Sequence, residues 1–97
     1  MVYDMLSGAC IILPAMKAFY THTVADPRLI FVAAIKANVC ALILTHNHPS
    51  GNLNPSQADI DLTKKMREAG RFLEVSVLDH IIITSESYYS FADEGLI

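Results

Sequence analysis

The fold of this chain is decided by residues 45–59, which read THNHPSGNLNPSQAD. The apolar run that leads into them, residues 40–45 (CALILT), predicts a short strand that is buried on both faces. A polar loop follows, and Pro55 and Ser56 then open a helix. A buried strand that passes through a polar loop into a helix is typical of an α/β domain.

Further helical signals lie on both sides of the loop. Before it, Asp26 can cap a helix whose first position is Pro27. The nearly continuous apolar run from there to Asn38 predicts that this helix is deeply packed. The helix after the loop is expected to end at Gly70. Its predicted apolar stripe consists of Ala58, Leu62, Met66 and Ala69.

Short strands complete the predicted fold. They fall at residues 9–13, 73–78, 80–84 and 88–91. Asp79 is expected to mark a bend between the second and the third of these, and residues 15–24 show no clear period. Helix, strand, helix and then strands predict a small α/β domain with a mixed sheet.

Length and composition limit the classes of protein to consider. A chain of 97 residues is one small domain at most, and 53% of its residues are hydrophobic while only 18% are charged. Either a surface is buried against another subunit, or the chain is part of a larger domain. A net charge of −3, with only seven lysines and arginines, gives no support for autonomous DNA binding.

The cysteines and the first residues bear on the cellular compartment. Cys10 and Cys40 are far apart, so each is most simply a small buried hydrophobe and not half of a disulfide. No apolar run approaches the ~20 residues of a membrane span. Residues 1–4 (MVYD) lack the positive charge of a signal peptide. The cytoplasm is therefore the expected location.

Three side chains within residues 45–59 are of the types that zinc prefers. His46 and His48 are two residues apart at the end of the predicted strand, so both imidazoles point to the same side. Asp59 lies in the first turn of the next helix, which the loop can fold back toward the histidines. Two imidazoles and one carboxylate leave a fourth position for water, which is the arrangement of a catalytic zinc site.

The same residues also fit a purely structural explanation. Ser56 and Asp59 have the spacing of a capping box, with Ser56 as the N-cap. Two histidines one residue apart also occur often by chance. The residues alone therefore leave open a metal site and an ordinary loop with a helix cap, and a carboxylate in the first turn is compatible with both.

The spacing of His46, His48, Ser56 and Asp59 resembles the JAMM (MPN/JAB) metalloprotease motif, and the fuller string HNHPSG followed by PSxxD resembles its bacterial RadC-like branch. Further matches are residues 26–31 (DPRLIF), 78–83 (LDHIII) and 90–95 (SFADEG). The resemblance covers residues 23–97 and leaves residues 1–22 unassigned.

This resemblance implies a fold and an activity. The fold is a three-layer JAB/MPN-like domain, similar to cytidine deaminases, with a mixed sheet flanked by helices. The deaminase pattern itself is absent, so deamination is disfavoured.

The resemblance also implies a site. His46, His48 and Asp59 would hold Zn²⁺, and Ser56 would help to stabilise the oxyanion. The implied activity is hydrolysis of an amide or isopeptide bond in a peptide substrate or a protein partner, and the apolar excess is compatible with a homo-oligomer. A link to DNA repair rests on the historical family label alone.

The catalytic glutamate of JAMM enzymes, which precedes the histidine pair, is not found in the matching place. The first glutamate is Glu68, and the only acids before His46 are Asp4 and Asp26. Because a positioned general acid–base typically contributes 10²–10⁴-fold, two functions stay open. One is a zinc hydrolase, and the other is an inactive JAMM domain that binds metal or a protein partner.

Asp79 and His80 also leave two explanations open. The pair lies at a predicted strand junction, inside one of the stretches that carry the resemblance. It could orient a metal ligand, or it could make a local structural hydrogen bond.

Overall fold

A computed structural model describes residues 1–5, 10–12, 17–19, 26–48 and 51–97. Within these ranges the chain forms, in order, β1 (Val2–Asp4), β2 (Cys10–Ile12), β3 (Lys17–Phe19), α1 (Pro27–Lys36), β4 (Ala41–Asn47), α2 (Gln57–Leu73), β5 (Ser76–Ile83) and β6 (Tyr88–Ser90). The predicted α/β fold with a mixed sheet is confirmed, and it is consistent with a JAB/MPN-like domain.

The described strands form one sheet in the order β3-β2-β1-β4-β5-β6. β1, β4 and β5 are parallel neighbours, and β2 and β6 flank them as antiparallel strands. β3 pairs antiparallel with β2 at the edge of the sheet. Parallel pairs need a crossover connection, and α2 supplies the one between β4 and β5. One core cluster draws side chains from both helices and the central strands: Tyr3, Met5, Ile30, Phe31, Ala34, Leu42, Leu44, Met66, Val75 and Val77.

Because side chains alternate between the two faces of β4, His46 points to the face of the sheet that carries the core. Leu42 and Leu44 are buried in the core, and His46 is the next residue on the same face of the strand. His46 lies opposite Ile82 of the parallel strand β5. His46 and His48 therefore lie at the edge of the sheet where the parallel strands β4 and β5 both end, which is where α/β sheets bind ligands.

Helix α1 begins as predicted but is less buried than expected. The Asp26 side chain accepts a hydrogen bond from the Arg28 amide, and Pro27 occupies the first turn. The prediction of deep packing is wrong, because the helix turns only one side to the core. That side carries Ile30, Phe31 and Ala34, whereas Leu29, Val32 and Ile35 are 40%, 45% and 57% exposed.

Helix α2 runs past the predicted end at Gly70 and stops at Leu73. The stop comes from Glu74, which adopts the left-handed conformation (φ 56°). Gly70 is instead a point of close approach, since a Cβ there would collide with the carbonyl group of Val75. Met66 is buried as predicted, whereas the other three buried positions, Asp59, Thr63 and Gly70, each lie one residue after the predicted ones.

The two strands predicted on either side of Asp79 form one continuous strand, β5, with a register irregularity just before Asp79 in place of a break. Val77 lies opposite Leu42 and Asp79 lies opposite Ile43, which leaves Leu78 as the additional residue of a β-bulge. The Asp79 carboxylate accepts hydrogen bonds from the Ser90 hydroxyl and from the amides of His80 and Ala92. Asp79 therefore has a local structural role that ties β5 to the C-terminal turn.

Other expectations have mixed outcomes. Strand β6 and the core of the strand expected at residues 9–13 are present, whereas β1 was not predicted and β3 lies in the unassigned stretch. Cys40 is exposed, so the expectation that it is buried is wrong. No helix in the described part of the chain is long and apolar enough to cross a bilayer.

Candidate metal centre

Three side chains converge between the end of β4 and the start of α2. His46 Nδ1 lies 3.3 Å from Asp59 Oδ1, and His48 Nε2 lies 3.6 Å from Asp59 Oδ2. One ligand atom from each residue lies within 4.8 Å of those of the other two. The loop therefore folds Asp59 back toward the histidines, as the sequence predicts, and the three residues could hold a metal ion.

The orientation of His48 is fixed by the loop that follows it. Its Nδ1 lies 2.8 Å from the carbonyl oxygen of Asn52. A carbonyl oxygen only accepts hydrogen bonds, so Nδ1 carries the proton, and the lone pair of Nε2 is directed at the site. The amide of His48 donates to the carbonyl of Ile83, which holds the residue against the end of β5.

Asp59 is held by the helix cap that the sequence analysis offered as an alternative. The Asp59 amide donates to Ser56 Oγ, and the Ser56 amide donates to Asp59 Oδ2. Burial would raise the pKa of Asp59, but the backbone and side-chain hydrogen bonds of Ser56, then His46 and His80, outweigh it and hold that pKa below its ordinary value. Asp59 is therefore an anion at neutral pH, and the cap and the ligand role coexist.

The donor set fits a metal ion on chemical grounds. One anionic carboxylate and two imidazoles are typical ligands of zinc and related cations. His46 Nδ1 is buried and makes no hydrogen bond within the described residues, although it faces the carboxylate. The side chains of His46, His48 and Asp59 are 25%, 18% and 9% exposed, so the cluster is partly open to solvent. Such a cluster offers three ligands and leaves room for a further one.

The glutamate expected of a general base is not part of this cluster among the described residues. All four glutamates of the chain are exposed, and none belongs to the group formed by His46, His48 and Asp59. Glu68 follows Asp59 by nine residues on the same helix, which places it roughly 13 Å further along the axis. Ser56 lies at the helix start and is exposed, and its role at the oxyanion stays a prediction.

Comparison with known proteins decides the family. The family model of the RadC-like JAB domain matches residues 15–96. The chain belongs to the RadC-like JAB domain family. It is similar to a UPF0758 protein of Flavobacterium johnsoniae, with 55% identity over 80 residues that cover 82% of this chain and 35% of that relative.

Other curated relatives give the same result. A UPF0758 protein of Thermosynechococcus vestitus is 52% identical over 73 residues, which cover 75% of this chain and 29% of the relative. A UPF0758 protein of Staphylococcus haemolyticus is 46% identical over 79 residues, with coverage of 81% and 35%. The matched part of this chain thus spans about a third of the length of these relatives. The division into residues 1–22 and 23–97 stays a prediction.

Behind the metal centre lies a buried histidine whose surroundings the sequence analysis did not resolve. His80 is fully buried on β5, and its ring stacks on Phe91 with the centroids 4.4 Å apart. Its Nδ1 lies 2.7 Å from the hydroxyl oxygen of Thr63 on α2. The sequence signal for His80 was its place in the matched stretch, whereas nothing in the sequence singled out Thr63.

His80 should make the metal-free protein sensitive to mild acid. Burial lowers the pKa of His80 from 6.5 to about 4. The contribution of neutral His80 to the free energy of unfolding is therefore fully present above pH 6.5. It is lost as the pH falls toward 4, by an amount on the order of 3 kcal/mol. Urea unfolding in the presence of a chelator, at several pH values, should show this slope in the wild type and a flatter one in His80→Gln. Equal slopes would contradict the assignment.

Proposed function

We propose that this RadC-like JAB domain is a zinc-dependent hydrolase of amide or isopeptide bonds. The observation that carries the proposal is that one ring nitrogen of His46, one of His48 and a carboxylate oxygen of Asp59 lie within 4.8 Å of one another. This donor set has the composition of a catalytic zinc site, in which three protein ligands leave a position for water. Family membership supports the same assignment.

Each residue of the centre has a distinct task in this proposal. Zinc held there would supply a Lewis acid that activates water and polarises the substrate carbonyl. His48 presents its Nε2 lone pair because Asn52 holds its other ring nitrogen. Asp59 brings the negative charge. Ser56 is assigned to the oxyanion, toward which its hydroxyl proton would have to turn from the Asp59 carboxylate.

A second candidate is a RadC-like JAB domain that binds metal or a protein partner and hydrolyses nothing. The observation that favours it is the exposure of all four glutamates away from the ligand group. Without a positioned base, turnover would fall by about 10²–10⁴-fold while metal binding is kept. Both the hydrolase and the inactive-domain proposal include a peptide or protein partner, self-association and a cytoplasmic location. Any part in DNA repair is likewise only proposed.

The discriminating experiment measures hydrolysis by zinc-replete protein. The probes are mixed internally quenched peptides and a lysine peptide acylated at Nζ, each with wild type, with His48→Ala and with a chelator. Cleavage that His48→Ala and the chelator both abolish supports the hydrolase. Addition of acetate at constant pH and ionic strength tests for the missing general base, because a carboxylate in solution can replace it and raise the rate of cleavage. A zinc-replete protein that cleaves nothing, with or without acetate, is the inactive domain.

A further inference from the structure

The three ligands of the metal centre belong to two structural elements, so something must hold these elements in register. His46 and His48 come from the end of β4, whereas Asp59 comes from the first turn of α2. Besides the loop that joins them, a direct link between α2 and the sheet lies immediately behind the ligands. It consists of Thr63, one helical turn after Asp59, and His80 on β5.

The hydrogen bonds of this pair form a continuous chain that ends on a ligand residue. Thr63 Oγ1 donates to the carbonyl oxygen of Asp59 at 2.8 Å, and His80 Nδ1 lies 2.7 Å from the same Oγ1. A hydroxyl has one proton, and here Asp59 receives it. The Nδ1 of His80 must therefore carry the proton that joins it to Thr63.

The position of His80 makes this chain rigid. Thr63 is 1% exposed and His80 is fully buried. The His80 ring stacks on Phe91, with the centroids 4.4 Å apart and 12° between the planes, and its centroid lies 6.1 Å from that of the His46 ring. A fully buried ring that stacks on Phe91 holds its Nδ1 in a fixed place, so Thr63 and the first turn of α2 are fixed relative to the sheet.

A helical threonine that bonds back to the carbonyl four residues earlier is common, and alone it would show only local helix geometry. What distinguishes Thr63 is its second partner on a different element, 17 residues away in sequence. From this arrangement we propose that Thr63 and His80 are positioning residues that set the place of the Asp59 carboxylate, and hence the metal affinity of the centre. The proposal rests on metal binding by the three ligands and not on hydrolysis.

The test is the zinc dissociation constant, measured by competition with a chromophoric chelator, together with the Tm of the metal-free protein. Thr63→Val keeps the shape of the side chain and removes the hydroxyl. It should weaken zinc binding about 10–100-fold, as loss of a partner that orients a ligand does. Thr63→Ser restores the hydroxyl and should stay within about threefold of wild type.

Two further variants separate positioning from stability. Ala34→Gly damages the buried side of α1, away from the centre, so it should lower the Tm and leave zinc affinity unchanged. His80→Phe keeps a flat ring and removes the hydrogen bond, so it should weaken zinc binding as Thr63→Val does. The double variant should be no weaker than the weaker single one, because both changes break the same chain.

A tautomer measurement completes the test. Nitrogen NMR of the histidine rings should show His80 neutral, with its proton on Nδ1. The proposal is overturned if Thr63→Val lowers the Tm but binds zinc as wild type does, or if the proton is on Nε2. A wild type that binds no zinc would instead remove the metal centre of the proposed function. Absence of hydrolysis would leave the affinity comparison intact.

Discussion

His48→Ala is expected to lose stoichiometric zinc. Wild type purified without added metal should carry about one zinc per chain by elemental analysis, because His46, His48 and Asp59 already converge. Loss of a partner that only orients a ligand costs 10–100-fold in affinity, so loss of a ligand should cost more than about 100-fold. The variant should therefore be nearly free of zinc after the same purification.

The matched control for this variant is Asn54→Ala, which alters an exposed side chain of the same loop. It should keep the zinc of the wild type. Zinc retained by His48→Ala would place the metal elsewhere in the chain. No zinc in the wild type, even after metal is added, would mean that these residues serve as a loop and a helix cap, and the hydrolase proposal would be dropped.

Gly70→Ala should be strongly destabilising. Alanine is a better helix former than glycine by about 1 kcal/mol. Here, however, the new Cβ would collide with the carbonyl of Val75, and that backbone is held in place because the Val75 amide donates to the Gly70 carbonyl. Movement of the backbone outweighs the gain in helix propensity, and we expect a net loss of about 3–5 kcal/mol in the free energy of unfolding.

Denaturant unfolding of the metal-free protein measures this loss. Gly95→Ala is the control, because a Cβ there meets nothing within 4 Å and only the positive φ of 76° is unfavourable. It should cost roughly 1–2 kcal/mol. A Gly70→Ala protein as stable as Gly95→Ala would show that α2 and the segment after it can separate at little cost.

The parts of the fold that the sequence predicted are those determined by local chemistry. Asp26 and Pro27 begin a helix because a cap and a fixed φ act within one turn. His46 and His48 share a face because the side-chain period of a strand is two. Asp59 reaches them because a short loop and a capping box leave little choice in the direction of the helix.

The parts that the sequence did not predict depend on distant partners. Aspartate is a residue type that favours bends, yet Asp79 stays in a strand because its carboxylate accepts hydrogen bonds from the Ser90 hydroxyl and the Ala92 amide. Thr63 lies outside the predicted apolar stripe, and the reason that it is buried is its hydrogen bond with His80 on another element. The exposed apolar residues of α1 cannot be told from its buried ones by sequence, because which side of the helix faces the core depends on its packing.

The placement of the ligands on two elements has a thermodynamic consequence. An ion held by His46 and Asp59 would join β4 to α2 across the loop, and this site exists only when the two elements are folded together. Because the ion binds the folded state in preference, free metal at 100 times its Kd would add about 2.7 kcal/mol to the stability. Metal supply would then set how long the folded domain survives in the presence of proteases, as well as what the centre can do.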